Sequence, residues 1–144
     1  MIRDYSYWII PVYKNSNWDY EFLIINQKTY NWSFWWFPKW HSEKWETELE
    51  SAKRELEEEV WIKNININTK KTLWFSYNFE EKWIKYDKTV KYWIWFVKDK
   101  NVIIQKEELN GYKRTNYNDT INMLSHKNMK EVFKKITKDL FVIK

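Results

Sequence analysis

The chain has 144 residues and no cysteine, which excludes disulfide frameworks, thiolate metal sites and cysteine nucleophiles. No apolar run reaches the ~18 residues that a membrane span needs, so no membrane role is expected. The formal net charge is +5 but unevenly spread: residues 41–60 hold eight acidic and three basic side chains, and residues 61–144 hold eighteen basic and nine acidic ones.

In chain order, Tyr5 to Tyr13 reads as a strand with Ile9, Ile10 and Val12 apolar. Asn15 to Asp19 is a turn, and Tyr20 to Asn26 is a second strand around the run FLII. Asn31 to His41 reads as an aromatic-rich loop around Pro38. Glu46 to Glu59 is the clearest helix, because Leu49, Ala52, Leu56 and Val60 recur at spacings of three and four. Ile62 to Asn68 reads as a strand. Leu73 to Phe79 and Thr89 to Val97 form a long hairpin of alternating bulky residues, and Val102 to Gln105 a further short strand. A short helix starts at Asn116 to Asp119. A last helix runs to about Leu140, capped by Ser125 or Asn128, with Met129, Val132, Phe133, Ile136 and Leu140 on one side. Strands interleaved with helices, without repeat or linker, predict one domain over residues 1–144 with an α/β (α+β) architecture.

The acidic segment carries the chemistry. Glu55, Glu58 and Glu59 stand at i, i+3 and i+4 and share one helical face. Adjacent carboxylates repel by a few tenths of a kcal/mol per pair, a liability that a hard, oxygen-seeking divalent cation turns into a site. A solvated acidic surface is the other reading of those three residues alone. Arg54 can orient a carboxylate through a bidentate pair.

The stretch from Trp40 to Ile62, WHSEKWETELESAKRELEEEVWI, resembles the signature of the Nudix hydrolase family: a glycine, five residues, Glu, seven residues, then R-E-U-x-E-E-x-G-U, with U a bulky aliphatic. Glu46, Arg54, Glu55, Leu56, Glu58, Glu59 and Ile62 fall at fixed places, whereas Trp40 and Trp61 stand at the two glycines. The resemblance implies an α/β/α sandwich with a mixed sheet and Mg²⁺ or Mn²⁺ held by Glu55, Glu58 and Glu59. It also implies metal-assisted hydrolysis of a nucleoside polyphosphate.

Further features resemble the asymmetric bis(5′-nucleosyl)-tetraphosphatase branch, whose members commonly read W-G-F-P-K-G-H where this chain reads WWFPKWH at residues 35–41. The run KTVKYW at residues 88–93 and the tail from Glu108 through Tyr112 to Met129 and Lys130 are similar too. Carried over by this resemblance, Lys39 and Lys88 hold phosphates and His41 lies beside the phosphate chain. Glu108, or else Glu107, supplies a fourth carboxylate or the base, and Tyr77, Phe79 and Tyr112 are candidates to stack on adenine. Arg114 departs from the aromatic residue usual near that place. The substrate implied is diadenosine tetraphosphate, cleaved to ATP and AMP by a cytoplasmic, monomeric enzyme. The rival readings are RNA 5′-pyrophosphate or nucleoside triphosphate hydrolysis, and a non-catalytic nucleotide- or RNA-binding module.

Twelve tryptophans stand against one glycine, where roughly ten glycines are usual at this length. Trp8, Trp36, Trp40, Trp45, Trp61 and Trp74 fall where relatives have glycine. Trp18 and Trp32 lie in turn-like contexts, and Trp35 and Trp93 look like true tryptophans. The simplest account is a UGA codon that the organism reads as glycine and the translation table writes as tryptophan; the other reading is a genuinely tryptophan-rich protein that binds at a membrane interface. On the recoding account, Trp40 and Trp61 are expected where the backbone needs positive φ or close approach.

Overall fold

A computed structural model of the chain describes residues 1–15, 19–28, 33–40, 47–62, 65–98, 102–104 and 109–142. The strands are β1 (Ile2–Lys14), β2 (Tyr20–Lys28), β3 (Ser33–Trp36), β4 (Lys39–Trp40), β5 (Ile65–Glu81), β6 (Ile84–Val97) and β7 (Leu109–Thr115). The helices are α1 (Glu48–Val60), α2 (Tyr117–Met123) and α3 (Lys127–Val142). None of the described helices is long and apolar enough to cross a membrane.

The strands form one mixed sheet in the order β3-β2-β1-β6-β5, with β4 paired to β1 and β7 to β2. Only the central pair, β1 with β6, is parallel among these ladders. Side chains alternate across a pleated sheet, so each strand feeds two cores. Trp8, Ile10, Phe22, Ile24, Tyr92 and Ile94 face α3, where Met129, Phe133 and Ile136 cover them. Tyr7, Ile9, Leu23, Ile25 and Trp95 face α1, where Ala52, Leu56 and Val60 cover them. Helices on both faces of a mixed sheet give the expected α/β/α sandwich.

Helix α1 forms where its apolar spacing predicts. Thr47 caps it, accepting the Glu50 N–H at 3.1 Å, and the buried stripe of Ala52, Leu56 and Val60 holds it to the sheet. Each fully buried Leu or Val side chain contributes roughly 1.5–3 kcal/mol. The helix ends at Trp61, which adopts φ 62°, ψ 30° and donates its N–H to Glu57 O at 2.9 Å.

Other segments depart from the sequence reading. The aromatic stretch before His41 is not simply a loop: Ser33–Trp36 and Lys39–Trp40 are strands on either side of Phe37 and Pro38, since backbone pairing with β2 and β1 satisfies their polar groups. The two strands expected over 62–68 and 73–79 are one strand, β5, with a register shift between Ile67 and Thr72. Val102 to Ile104 is not a strand; Ile103 instead donates to Val60 O at 3.2 Å. Strand β7 was not foreseen, because LNGYKRT has little apolar alternation and owes its shape to the ladder on β2.

Asn116 caps α2 as its sequence suggests, accepting the Asp119 N–H at 2.8 Å. Neither Ser125 nor Asn128 caps α3. His126 O accepts the Lys130 N–H at 3.2 Å, and Ser125 is bound to β3 instead.

Candidate active site

Strand registry lays out a two-dimensional array on the α3 side of the sheet. Lys88 stands between Tyr77 and Asp4, Val90 between Phe75 and Ser6, and Tyr92 between Leu73 and Trp8, with Lys39 next to Trp8 on β4. The start of α3 overhangs this array. Ser125 Oγ accepts the Trp35 N–H at 2.8 Å, and the Ser125 N–H donates to Trp35 O at 3.0 Å. With this pair of hydrogen bonds to β3, the His126 ring lies 4.9 Å from Phe34 and 5.9 Å from Trp36. Between sheet and helix start lies a cavity of about 640 Å³, with Lys39, Phe75, Tyr77, Lys88, Tyr92 and His126 among its lining residues.

One part of this cavity is aromatic. The rings of Phe75 and Tyr77 stack at 6.3 Å, Phe75 and Tyr92 at 6.4 Å, and Tyr92 and Trp8 at 6.0 Å. Burial, with the neighbouring Tyr77, pushes the Tyr92 phenol above its ordinary range, so it stays neutral. Another part is cationic. Lys88 Nζ lies 2.6 Å from Asp4 Oδ2. Lys39 Nζ sits 5.3 Å over the Trp8 ring. Burial first, then the charge of Lys88, holds the Lys39 ammonium below the usual lysine range, and Asp4 partly offsets both.

The acidic row of α1 lies on the opposite face of the sheet, and α1 also packs against β4. Arg54 Nη1 reaches Glu55 Oε1 at 3.1 Å and Glu58 Oε2 at 3.2 Å. Glu58 is exposed, whereas Glu59 is buried at the edge of the core. Among the described residues no three carboxylate or imidazole side chains already converge as a metal cluster. The donor set still fits a hard divalent cation: it is oxygen-only and placed on neighbouring turns of a helix fixed at both ends.

Of the residues expected to bind substrate, Lys39, Lys88 and Tyr77 meet in the cavity. Phe79 extends the same aromatic row, 5.9 Å from Tyr77 and stacked 4.8 Å from Tyr86. Tyr112 does not join them: it pairs with Ile25 on the α1 side of the sheet. Arg114, two residues on, stacks on Tyr13 at 4.9 Å. His41, Glu46, Glu107 and Glu108 lie outside the described residues. The sequence reading missed Ser6, Phe75, Tyr92, His126 and Lys127 as lining residues. Strand alternation alone could have nominated Phe75 beside Tyr77, but the helix start reaches the cavity through a contact distant in sequence.

A family model described as NUDIX domain matches residues 6–140. Among solved structures, that of a C. elegans Ap4A hydrolase binary complex is 25% identical, with a TM-score of 0.78 over 95% of this chain and 97% of that one. A structure described as a possible asymmetric diadenosine tetraphosphate hydrolase from Jonesia denitrificans is 11% identical, with a TM-score of 0.75 over 96% and 94%. The NUDIX domain of Shewanella oneidensis NrtR complexed with ADP ribose is 10% identical, with a TM-score of 0.71 over 97% and 90%. The last two likenesses show the fold alone. No curated protein sequence matches the chain.

Proposed function

The chain belongs to the NUDIX domain family, and on that footing we propose that it hydrolyses a dinucleoside polyphosphate, diadenosine tetraphosphate, to ATP and AMP. The observation that carries this reading is the cavity in which Lys39, Lys88 and Lys127 meet Phe75, Tyr77 and Tyr92. A nucleotide needs both kinds of surface: ammonium groups for its phosphates and ring faces for its base, the latter worth about 1–3 kcal/mol per stacked base. The 25% identity to the C. elegans Ap4A hydrolase over nearly the whole chain supports the choice of substrate.

Glu55, Glu58 and Glu59 are the residues that would hold Mg²⁺ or Mn²⁺, which when bound supplies charge neutralisation and an acidified water. Arg54 sets the position of Glu55 and Glu58 through its two contacts. Lys39 and Lys88 hold the phosphate chain, and Tyr77 stacks on one adenine. The cavity and the carboxylates lie on opposite faces of the sheet, and β4 lines the cavity through Lys39 while it packs against α1. A long phosphate chain suits that arrangement, since it can pass β4 while its base stays in the aromatic part. Water attacks one phosphorus, the bridging P–O bond breaks, and the leaving phosphate oxygen takes up a proton. His41 beside the phosphates and Glu108 as base or fourth carboxylate belong to the same proposal.

The test is incubation with diadenosine tetraphosphate and Mg²⁺ followed by nucleotide separation. Equal ATP and AMP, abolished by EDTA, is the expected result. Glu58→Gln should lower kcat by orders of magnitude while leaving the circular dichroism spectrum unchanged. Turnover of 5′-triphosphorylated RNA in place of the dinucleotide would overturn the substrate assignment. Binding without turnover would overturn the enzyme reading.

A further inference from the structure

The floor of the cavity contains a polar group that the reading above does not use. Ser6 is only 2% exposed, lines the cavity, and its Oγ has no hydrogen-bond partner. Buried hydroxyls in folded proteins are almost always bonded, and leaving one unmade is costly. Ser6 lies on β1 two residues from Asp4 and two from Trp8. Those neighbours register with Lys88 on one side and Lys39 on the other, so Ser6 occupies the position on the diagonal between the two lysines in the strand register.

We propose that Ser6 donates a hydrogen bond to the phosphate group held by Lys39 and Lys88, as the third member of an anion cradle. This rests on the reading of the cavity as a phosphate site and adds to it a binding residue. The neighbourhood favours an anion over a neutral ligand edge. Lys88 already has the Asp4 carboxylate. Lys39 is desolvated and repelled by Lys88, so a phosphate oxygen between them relieves both effects. A hydroxyl can then rotate its proton toward that oxygen, and hydrogen bonds to charged groups are the stronger kind.

The test is calorimetric titration of the full chain with tripolyphosphate in EDTA, which removes metal and turnover from the readout. Ser6→Ala should weaken binding about tenfold or more, the ratio expected for a hydrogen bond to a charged group. Its thermal midpoint should be unchanged or higher, because the alanine breaks no bond within the protein. Ser6→Thr, which keeps the hydroxyl, should bind as the parent chain does. Equal binding by Ser6→Ala and the parent, or no binding by the parent, overturns the proposal. The two readings fail separately. Tripolyphosphate binding that depends on Ser6 in a chain that never yields ATP and AMP overturns only the hydrolase. Hydrolysis with an unchanged KM in Ser6→Ala overturns only the cradle.

Discussion

At residues 61 and 83 the backbone turns left-handed beneath a tryptophan. Trp61 has φ 62° at the end of α1, and Trp83 has φ 68° after Lys82 at φ 50° in the β5–β6 turn. The first is the usual place for a glycine that ends a helix, and the second is the second central position of a tight hairpin turn, where glycine is also favoured. A left-handed L-residue costs roughly 1–2 kcal/mol, and Trp83, 94% exposed, recovers almost nothing by burial. Trp61→Gly and Trp83→Gly are therefore each expected to raise stability by about 1 kcal/mol, read from the denaturant midpoint. No gain in either would show that the rings stabilise the chain in some other way. We propose that both codons are UGA, and UGG at these two codons would sink the recoding account. Position 61 was legible because the family signature asks for glycine there. Position 40 was read the same way, yet Trp40 lies in β4, paired with Tyr7, and is not among the positive-φ residues. Lys39 carries a second prediction at this scale. Its ammonium is held below the usual range, so in the free protein it loses its proton at lower pH than an exposed lysine. The sign for stability follows: burial of the charged form destabilises the fold at neutral pH, and that cost is relieved as pH rises through the lowered pKa toward 10.5. For phosphate binding the effect is opposite, so KM should climb on the alkaline side. Lys39→Arg, which keeps its charge, should flatten that climb in a KM–pH profile.

Among the elements, α1 was the most legible, because its apolar period, its cap and its carboxylate row all lie within one short window. The cavity was the least legible, since it needs β1, β4, β5, β6 and the start of α3 in register, and no local pattern encodes that. Tyr77 and Lys88 could be named from the family resemblance, but that they face each other across a ladder is a fact of pairing. The start of α3 shows the same limit. Ser125 reads locally as a helix cap, but its hydroxyl serves β3, ninety residues away in sequence. Ser125→Ala should remove the bond from the Trp35 N–H and cost about 1 kcal/mol. The backbone bond to Trp35 O persists, so α3 should stay folded while the wall carrying His126 and Lys127 loosens. Steady-state kinetics should then show a raised KM with kcat nearly unchanged. A fall in kcat alone would show that the helix start does not act on binding.

For the whole molecule, the uneven charge of the sequence acquires a direction. The acidic segment folds largely into α1 on one face of the sheet, and the cavity on the other face presents Lys39, Lys88 and Lys127. On the proposed reading, a polyanion approaching the chain is drawn to the lysines of the cavity and repelled by α1 until a cation neutralises the carboxylates. Fields of this kind act on encounter and binding, and salt screens them over a Debye length of about 10 Å at 0.1 M. Raising ionic strength should therefore raise KM for diadenosine tetraphosphate, because the attraction is lost in the free enzyme. It should leave kcat almost unchanged, because on the proposed reading the phosphates bind beside the partly buried Lys39, which salt reaches poorly. Steady-state kinetics across a sodium chloride series at fixed Mg²⁺ measures both constants. A KM that ignores salt would mean that the phosphates do not enter through the lysine-lined cavity. A kcat that falls in step with it would place the screened charges at the reacting phosphorus instead.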